Sequence, residues 1–253
     1  MLLVDLGNTR LRWATHSGGV LGESCSLAHH RTFDAALFER AWGGMSAPRR
    51  LIIANVVGSC AGEALRAWAH EHWQMAPEVA GARRAACGVS NAYAEPARLG
   101  IDRWAALVAA HNRYNGPLAV VDCGTAITVD AVTSDGRHLG GLIAPGCTLM
   151  ERALDAGTQG VGRTEPGGCA ALSLGADTLT GAACGVLHGA VGFIEHAVAT
   201  AERSLNAVPR VVLTGGDAVR LRPFLRALCV HEPDLVLAGL ALLAEAHSCG
   251  DKE

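Results

Sequence analysis

Asp5-Leu-Gly-Asn-Thr9 and Asp122-Cys-Gly-Thr-Ala126 are the two stretches of sequence that decide the fold. Each lies at the end of a short apolar run, over 2–6 and 118–121, that predicts a buried strand. Each places an acidic residue two positions before a glycine, with a hydroxyl residue close behind. Apolar residues resume after both glycines, so each stretch predicts a strand, a tight turn and a second strand. Two such hairpins indicate a duplicated α/β domain with a cleft between the copies.

The rest of the chain supports this two-part organisation. Strands are predicted at 51–54, 139–144 and 210–213, and helices at about 60–73, 101–114, 177–205 and 234–247. The turn signal Asn115-Gly116-Pro117 is the best internal boundary. We therefore predict an N-terminal domain over 1–116 and a C-terminal domain over 117–253.

Composition excludes several classes of function. The chain has 253 residues, a net charge of −3 and 4% aromatic residues, which is unsuited to gathering polyanions or stacking bases. Lys252 is the only lysine among 21 basic residues. A P-loop, a protein-kinase strand lysine and a pyridoxal Schiff base each need an internal lysine amine, so all three are excluded.

The nine cysteines predict reduced, mostly buried thiols in a cytoplasmic protein. No Cys-x-x-Cys pair is present, and no Cys and His have zinc-finger spacing. The first residues, Met1-Leu-Leu-Val-Asp5, lack the basic region of a signal peptide, and the apolar run 235–244 is too short to cross a bilayer.

A glycine turn can hold phosphate without lysine. Glycine lets the backbone approach closely, successive N–H groups point at the phosphate oxygens, and a Thr hydroxyl adds a donor. An Asp at the strand end can hold a cation that bridges those oxygens. A single Asp5–Thr9 turn would more often be an ordinary hairpin; a second turn at Asp122–Thr125 favours the phosphate-binding interpretation.

Two other segments have both a structural and a functional interpretation. In Gly100-Ile-Asp102-Arg103, Asp102 is either a helix N-cap or a carboxylate that takes a proton from a hydroxyl, with Arg103 beside it for an anionic substrate. Gly215-Gly216 is either a plain strand–helix junction or a floor for a flat adenine ring. Gly181, Gly185 and Gly189 recur at a spacing of four and predict a helix face that another backbone approaches closely.

Taken in order, these motifs resemble the type III pantothenate kinases of the acetate/sugar kinase, Hsp70 and actin superfamily. The resemblance rests on Asp5-x-Gly-Asn-Thr9, Tyr93-x-x-Pro-x-x-Leu-Gly-x-Asp102-Arg103, Asp122-x-Gly-Thr-Ala-x-Thr-x-Asp130, Gly140-Gly-x-Ile-x-Pro-Gly146 and Gly215-Gly216. It implies two ribonuclease H-like domains, an α/β fold with the active site in the cleft between them. It also implies ATP-dependent phosphorylation of pantothenate to 4'-phosphopantothenate, the first step of coenzyme A biosynthesis.

The resemblance further implies a role for each matching residue. Asp102 would be the general base and Asp122 the ligand of a monovalent cation, K⁺ or NH₄⁺, with Mg²⁺ accompanying ATP. The ATP-binding residues would be Asp5, Leu6, Gly7, Asn8, Thr9, Arg10, Leu11, Arg12 and Thr125. The pantothenate-binding residues would be Tyr93, Gly100, Ile101, Asp102, Arg103 and Thr178. Arg12 stands where the family often has Lys, which keeps the charge.

The partners implied are ATP, pantothenate and a second copy of the chain, with no nucleic acid and no membrane. Two alternatives stay open. One is another small-molecule kinase of the same superfamily. The other is a non-catalytic accessory transcriptional regulator of the same family; the presence of Asp102, Arg103 and both glycine turns argues against it.

Overall fold

A computed structural model describes residues 1–29, 32–161, 169 and 171–250. The chain divides into two compact units: unit 1 contains Met1–Arg113 and Asp234–Glu253, and unit 2 contains Tyr114–Pro233. The internal boundary therefore lies close to the predicted one at 116. The C-terminal segment differs from the prediction, because it packs in unit 1 although it follows unit 2 in the chain.

Unit 1 is built on a six-stranded sheet of order β3-β2-β1-β5-β6, with β4 also paired to β2. Its strands are β1 (Leu2–Leu6), β2 (Arg10–Ser17), β3 (Val20–Leu21), β4 (Cys25–Ala28), β5 (Leu51–Asn55) and β6 (Glu78–Val79). β1 is antiparallel to β2 and parallel to β5. A separate short hairpin joins β7 (Ala85–Ala86) to β8 (Val89–Ser90), and a 3-10 turn at Pro96–Arg98 follows.

One face of this sheet is covered by α1 (Ala35–Trp42) and α2 (Ser59–Trp73). The apolar residues of α2 recur at helical spacing, so Leu65, Trp68 and Ala69 are buried together. Four tryptophan rings contact one another edge to face or at a tilt in this core, which buries a large apolar area: Trp13, Trp42, Trp68 and Trp73. α3 (Ile101–Arg113) is buried along nearly its whole first two turns.

Unit 2 is built on a five-stranded sheet of order β11-β10-β9-β12-β13. Its strands are β9 (Leu118–Cys123), β10 (Ala126–Val132), β11 (His138–Pro145), β12 (Arg210–Thr214) and β13 (Cys229–His231). β9 is antiparallel to β10 and parallel to β12. The order and strand directions match β3-β2-β1-β5-β6 of unit 1, so the weak sequence repeat corresponds to a repeated sheet topology.

The helices of unit 2 are α4 (Cys147–Gly157), α5 (Thr178–Leu205) and the short α6 (Ala218–Leu221), followed by a 3-10 turn at Arg222–Phe224. α5 is long and apolar enough to cross a membrane by length and composition alone. A core helix passes the same test, and residues such as Leu187, Ala190 and Ile194 of α5 are buried in the core with residues of β9 and β10. We interpret α5 as a core helix.

The last helix, α7 (Leu235–Gly250), returns to unit 1 and packs on α3. The contact is close, because a Cβ atom on Gly239 would lie 1.9 Å from the carbonyl oxygen of Ala105. Only glycine permits such an approach of two helix backbones. This packing explains why the C-terminal segment belongs to unit 1.

The glycine face predicted on α5 is exposed to solvent in the single chain. Gly181, Gly185 and Gly189 are exposed, and among the described atoms nothing lies within 4 Å of a Cβ built on Gly181 or Gly185. In the part of the chain that the structure describes, a loop backbone approaches α5 at Gly181, because a Cβ on Gly175 would lie 2.1 Å from the Gly181 nitrogen. Two helix backbones approach closely at Gly239, a position that no repeated spacing marks.

The prediction of reduced thiols is wrong for one pair. Cys169 and Cys184 form a disulfide with their Cα atoms 5.1 Å apart. The fold brings the segment before α5 back onto that helix, which a separation of 15 residues does not disclose. Among the described free cysteines, Cys123 and Cys147 are buried, Cys87 and Cys229 are partly buried, and Cys25 and Cys60 are exposed, so fewer thiols are buried than predicted.

Candidate functional site

The first glycine turn of unit 1 joins β1 to β2 as the sequence predicts. The backbone N–H of Gly7 donates to the carbonyl oxygen of Arg10 at 3.1 Å, which closes the turn. Asn8 is partly exposed and Thr9 is exposed, so both can reach a ligand. Leu6 and Leu11 face each other across the hairpin and are fully buried, so they can offer only backbone atoms.

Two residues outside the predicted motifs, His29 and Asp234, contact this hairpin. The imidazole Nε2 of the buried His29 lies 2.8 Å from the carbonyl oxygen of Gly7. Arg12, predicted to bind ATP, donates from Nη2 to Oδ1 of Asp234 at 2.9 Å. A residue 222 positions away gives no local sequence signal, so this ion pair could not be predicted. Arg10 projects outward and donates to Ser26 Oγ.

The loop that carries Tyr93 is organised around the buried side chain of Asn91. The amide nitrogen of Asn91 donates to the carbonyl oxygens of Arg83 and Pro96, both at 3.2 Å, and its Oδ1 accepts the backbone N–H of Tyr93. The guanidinium of Arg84 donates to the carbonyl oxygens of Tyr93 and Ala94. The backbone around Tyr93 is therefore fixed from both sides.

Asp102 lies in the first turn of α3 and is partly exposed. The helix begins at Ile101, and the carbonyl of Gly100 accepts the backbone N–H of Trp104, so Asp102 lies inside the helix rather than at its N-cap. Its Oδ1 accepts the backbone N–H of Arg103 at 2.7 Å. A Cβ on Gly100 would lie 2.6 Å from that oxygen, so glycine leaves room for the carboxylate.

Arg103 and Tyr93, which are both predicted to bind pantothenate, are in direct contact. Arg103 is buried, its Nη1 donates to the phenolic oxygen of Tyr93 at 3.0 Å, and its Cζ lies 5.9 Å from the ring centroid. The structure thus brings Tyr93, Gly100, Asp102 and Arg103 together. Ile101 is buried, and only its backbone can contribute to binding.

The second glycine turn, in unit 2, joins β9 to β10. Asp122 is the second-last residue of β9 and pairs with Thr214 of β12. Gly215 has φ +91°, and a Cβ there would lie 2.3 Å from Asp122 Oδ1. Glycine at 215 therefore allows this backbone to lie directly against Asp122 and Cys123. Thr125 is partly exposed on the turn itself.

Two further loops rest on this turn. The backbone N–H of Gly146, the residue before α4, donates to the carbonyl oxygen of Thr125 at 2.9 Å. The backbone N–H of Asp217, before α6, donates to the carbonyl oxygen of Cys123 at 2.9 Å. Burial raises the pKa of Asp217, and the nearby Arg220 partly opposes this rise.

Asp122 is partly exposed near the end of β9, so its carboxylate can contribute oxygen ligands to a bound cation. In the part of the chain that the structure describes, no three His, Cys, Asp or Glu side chains are grouped to hold a metal ion.

Thr178 is the first residue of α5 and is exposed in unit 2. The preceding Asp177 caps the helix, because its carboxylate accepts the backbone N–H of Thr180 and the Thr180 hydroxyl oxygen accepts the backbone N–H of Asp177. These hydrogen bonds lower the pKa of Asp177. The assignment of Thr178 to the pantothenate site stays a prediction.

A family model described as type III pantothenate kinase matches residues 1–200. The type III pantothenate kinase of Nitrosococcus oceani is 41% identical to this chain over 251 residues, covering 97% of this chain and 94% of that protein. The type III pantothenate kinase of Burkholderia thailandensis is 37% identical, and the alignment covers 97% of this chain and 98% of that protein. The chain belongs to the type III pantothenate kinase family. The predicted enzyme class is thereby confirmed.

Solved structures confirm the fold. A Campylobacter jejuni protein named as a Baf family transcriptional activator aligns with a TM-score of 0.63 and 20% identity, over 98% of this chain and 100% of that one. A protein named as a 2-dehydro-3-deoxygalactonokinase of Sinorhizobium meliloti aligns with a TM-score of 0.56 and 17% identity. That alignment covers 97% of this chain and 98% of the other. The predicted α/β fold of the actin-like ATPases and sugar kinases is therefore correct, and at these identities the likeness concerns the fold alone.

Proposed function

We propose that this chain transfers the γ-phosphoryl group of ATP to the hydroxyl of pantothenate. The observation that carries the proposal is the arrangement at the start of α3. There the buried Arg103 is hydrogen-bonded to Tyr93, while the neighbouring Asp102 carboxylate remains partly exposed. One short segment thus offers a cation for an anionic substrate and a carboxylate for its hydroxyl.

Asp102 acts as the general base in this proposal. Phosphoryl transfer needs positioned phosphates and a base near the attacking hydroxyl rather than a covalent nucleophile. The positive end of the α3 dipole favours the carboxylate form of a first-turn residue. Asp102 accepts the hydroxyl proton as the oxygen attacks phosphorus, and Arg103 with Tyr93 holds the pantothenate carboxylate. Thr178 is proposed as a further pantothenate contact.

Phosphate binding is assigned to the two glycine turns. In unit 1 the backbone N–H groups and exposed side chains of Asn8 and Thr9 serve this role, and in unit 2 Thr125 does. Mg²⁺ bound with ATP would neutralise part of the phosphate charge. Asp122 is the residue that would hold K⁺ or NH₄⁺, and the partial exposure of this acid near the end of β9 supports the assignment.

A homodimer is part of the proposal. The glycine face of α5 is exposed in the single chain, as are Leu142 and Ile143 on β11, so a second copy would bury small and apolar surface.

Light scattering at micromolar concentration should give twice the 26.1 kDa chain mass. Replacement of Gly185 by Leu should weaken the dimer, and a wild-type mass of one chain would contradict this part.

The deciding experiment incubates the purified protein with ATP, magnesium, potassium and pantothenate and measures 4'-phosphopantothenate by mass spectrometry. Product that depends on both substrates supports the proposal. Its absence with potassium and with ammonium would contradict it, and would favour either the accessory-regulator alternative or a kinase for another small molecule.

A further inference from the structure

An ion pair on the far side of the second glycine turn connects two helices of unit 2. Nη1 of Arg220 on α6 lies 3.7 Å from Oε1 of Glu151 on α4. The Glu151 side chain is 8% exposed and the Arg220 side chain 24% exposed. Neither residue belongs to the motifs that suggested the function.

Glu151 is buried and Arg220 is partly buried, but several of their polar atoms lack hydrogen bonds. Among the described residues, no protein atom hydrogen-bonds Oε1 of Glu151 or Nε and Nη2 of Arg220, although all three atoms are inaccessible to solvent. Burying charges at this cost is tolerated only when each compensates the other. Loss of one partner would leave the other as an uncompensated buried charge.

Both helices begin at the loops that rest on the turn at Gly124-Thr125. The loop before α4 contains Gly146, where a Cβ would lie 2.2 Å from the carbonyl oxygen of Gly124. The loop before α6 contains Gly215 and Asp217, which contact Asp122 and Cys123. The ion pair therefore links the two loops that enclose the turn.

Arg220 also compensates a second carboxylate. Desolvation raises the pKa of Glu151 and of Asp217, and Arg220 opposes the rise at both residues. One guanidinium thus stabilises the ionised forms of two acids that flank the turn, one on each loop-and-helix segment.

We propose that Glu151 and Arg220 are positioning residues that hold the Gly146 and Gly215–Asp217 loops against the β9–β10 turn and thereby set the affinity for the nucleotide phosphates. This inference rests on the proposed function only in assigning that turn to ATP. Glu151 and Arg220 would affect nucleotide binding without touching the substrate.

The test compares Glu151→Gln with the wild-type protein, because Gln keeps the shape and removes the charge. Calorimetric titration with the non-hydrolysable analogue AMP-PNP and magnesium should show roughly tenfold weaker binding. In steady state the KM for ATP should rise while the KM for pantothenate stays unchanged. Glu195→Gln is the matched control: Glu195 pairs at 3.9 Å with the exposed Arg226 elsewhere in unit 2, and its loss should leave nucleotide binding unchanged.

A double-mutant cycle establishes whether the two residues act together. If they do, Glu151→Gln/Arg220→Gln binds AMP-PNP no more weakly than the worse single variant. Arg220→Lys keeps the charge and should lose less affinity than Arg220→Gln. Additive losses, unchanged AMP-PNP affinity in Glu151→Gln, or equal rises in both KM values would each overturn the inference.

The same titration separates this inference from the proposed function. A wild-type protein that binds AMP-PNP but forms no phosphopantothenate contradicts the proposed function and leaves the inference standing. A wild-type protein that forms product while Glu151→Gln binds AMP-PNP normally contradicts the inference alone. Absence of AMP-PNP binding by the wild type contradicts both.

Discussion

The guanidinium of Arg103 donates a hydrogen bond to the phenolic oxygen of Tyr93 at 3.0 Å, and the two residues come from different elements. Tyr93 lies in the loop held by Asn91, whereas Arg103 lies in the first turn of α3. The bond fixes the orientation of the guanidinium, while the backbone N–H of the same residue donates to Asp102 Oδ1. A cation in a fixed orientation binds a carboxylate with less loss of side-chain entropy than a mobile one does.

Tyr93→Phe tests this relationship. The substitution removes the Tyr93 hydroxyl as an acceptor for Arg103, and a hydrogen bond to a charged group is worth about 1.5–3 kcal/mol. We expect the KM for pantothenate to rise at least tenfold while the KM for ATP stays within about twofold, both measured by a coupled steady-state assay. Tyr114→Phe is the control, because Tyr114 contacts Glu232 in unit 2. An equal effect of both variants would contradict the assignment.

Gly146→Ala tests the packing of the α4 loop on the second turn. The added Cβ would lie 2.2 Å from a backbone oxygen, so the loop must shift at a cost of roughly 1–3 kcal/mol. We expect a lower free energy of unfolding by urea titration and weaker ATP binding. At the other end of α4, Gly157→Ala places a Cβ with no described atom within 4 Å, so this variant should unfold at the wild-type urea concentration or above. Equal stability of the two variants would show that the contact is not tight.

Local patterns were sufficient to predict the elements that carry the site. The alternation of apolar residues and the glycine turns predicted β1–β2 and β9–β10, and the helical spacing after Gly100 predicted α3. These elements form through neighbouring residues, so their signals are contained in short windows. The family-level fold followed from the order of those motifs.

Contacts between distant parts of the chain could not be predicted in this way. The Arg12–Asp234 ion pair joins residues 222 positions apart, and the packing of α7 on α3 at Gly239 returns the C-terminus to unit 1. No periodicity encodes which helix meets which. The Cys169–Cys184 bond was missed for the same reason, since its formation depends on how the segment before α5 folds back.

Activity should depend on the monovalent cation if Asp122 holds one. We expect low turnover with sodium as the only monovalent cation, and recovery on addition of potassium or ammonium at constant ionic strength. Asp122→Asn should lose this dependence and much of the activity, because the carboxylate charge is removed. Equal wild-type rates in all three salts would contradict the cation assignment.

The buried thiols should resist alkylation in the native state. Burial raises the pKa of Cys123 and of Cys147, so the reactive thiolate is scarce at neutral pH. Iodoacetamide at pH 8 should label the exposed Cys25 and Cys60 first, as measured by peptide mass spectrometry. Cys123 and Cys147 should react only after addition of denaturant. Labelling of all four at similar rates in the native protein would contradict the burial of the second turn.

The central claim is that Asp102 takes the hydroxyl proton, and a kinetic comparison of Asp102→Asn with the wild type tests it most directly. Asn preserves the size of the side chain and its ability to accept the Arg103 N–H, but it cannot take a proton. Asp34, which caps α1 by accepting the N–H of Leu37, provides the matched control, since Asn caps a helix about as well as Asp. Both variants should melt within a few degrees of the wild type.

The account predicts that Asp102→Asn lowers kcat by about 10²-fold or more, while AMP-PNP binding persists and Asp34→Asn keeps wild-type turnover. A near wild-type kcat for Asp102→Asn would contradict the account, because Asp102 would then have only a structural role in the first turn of α3.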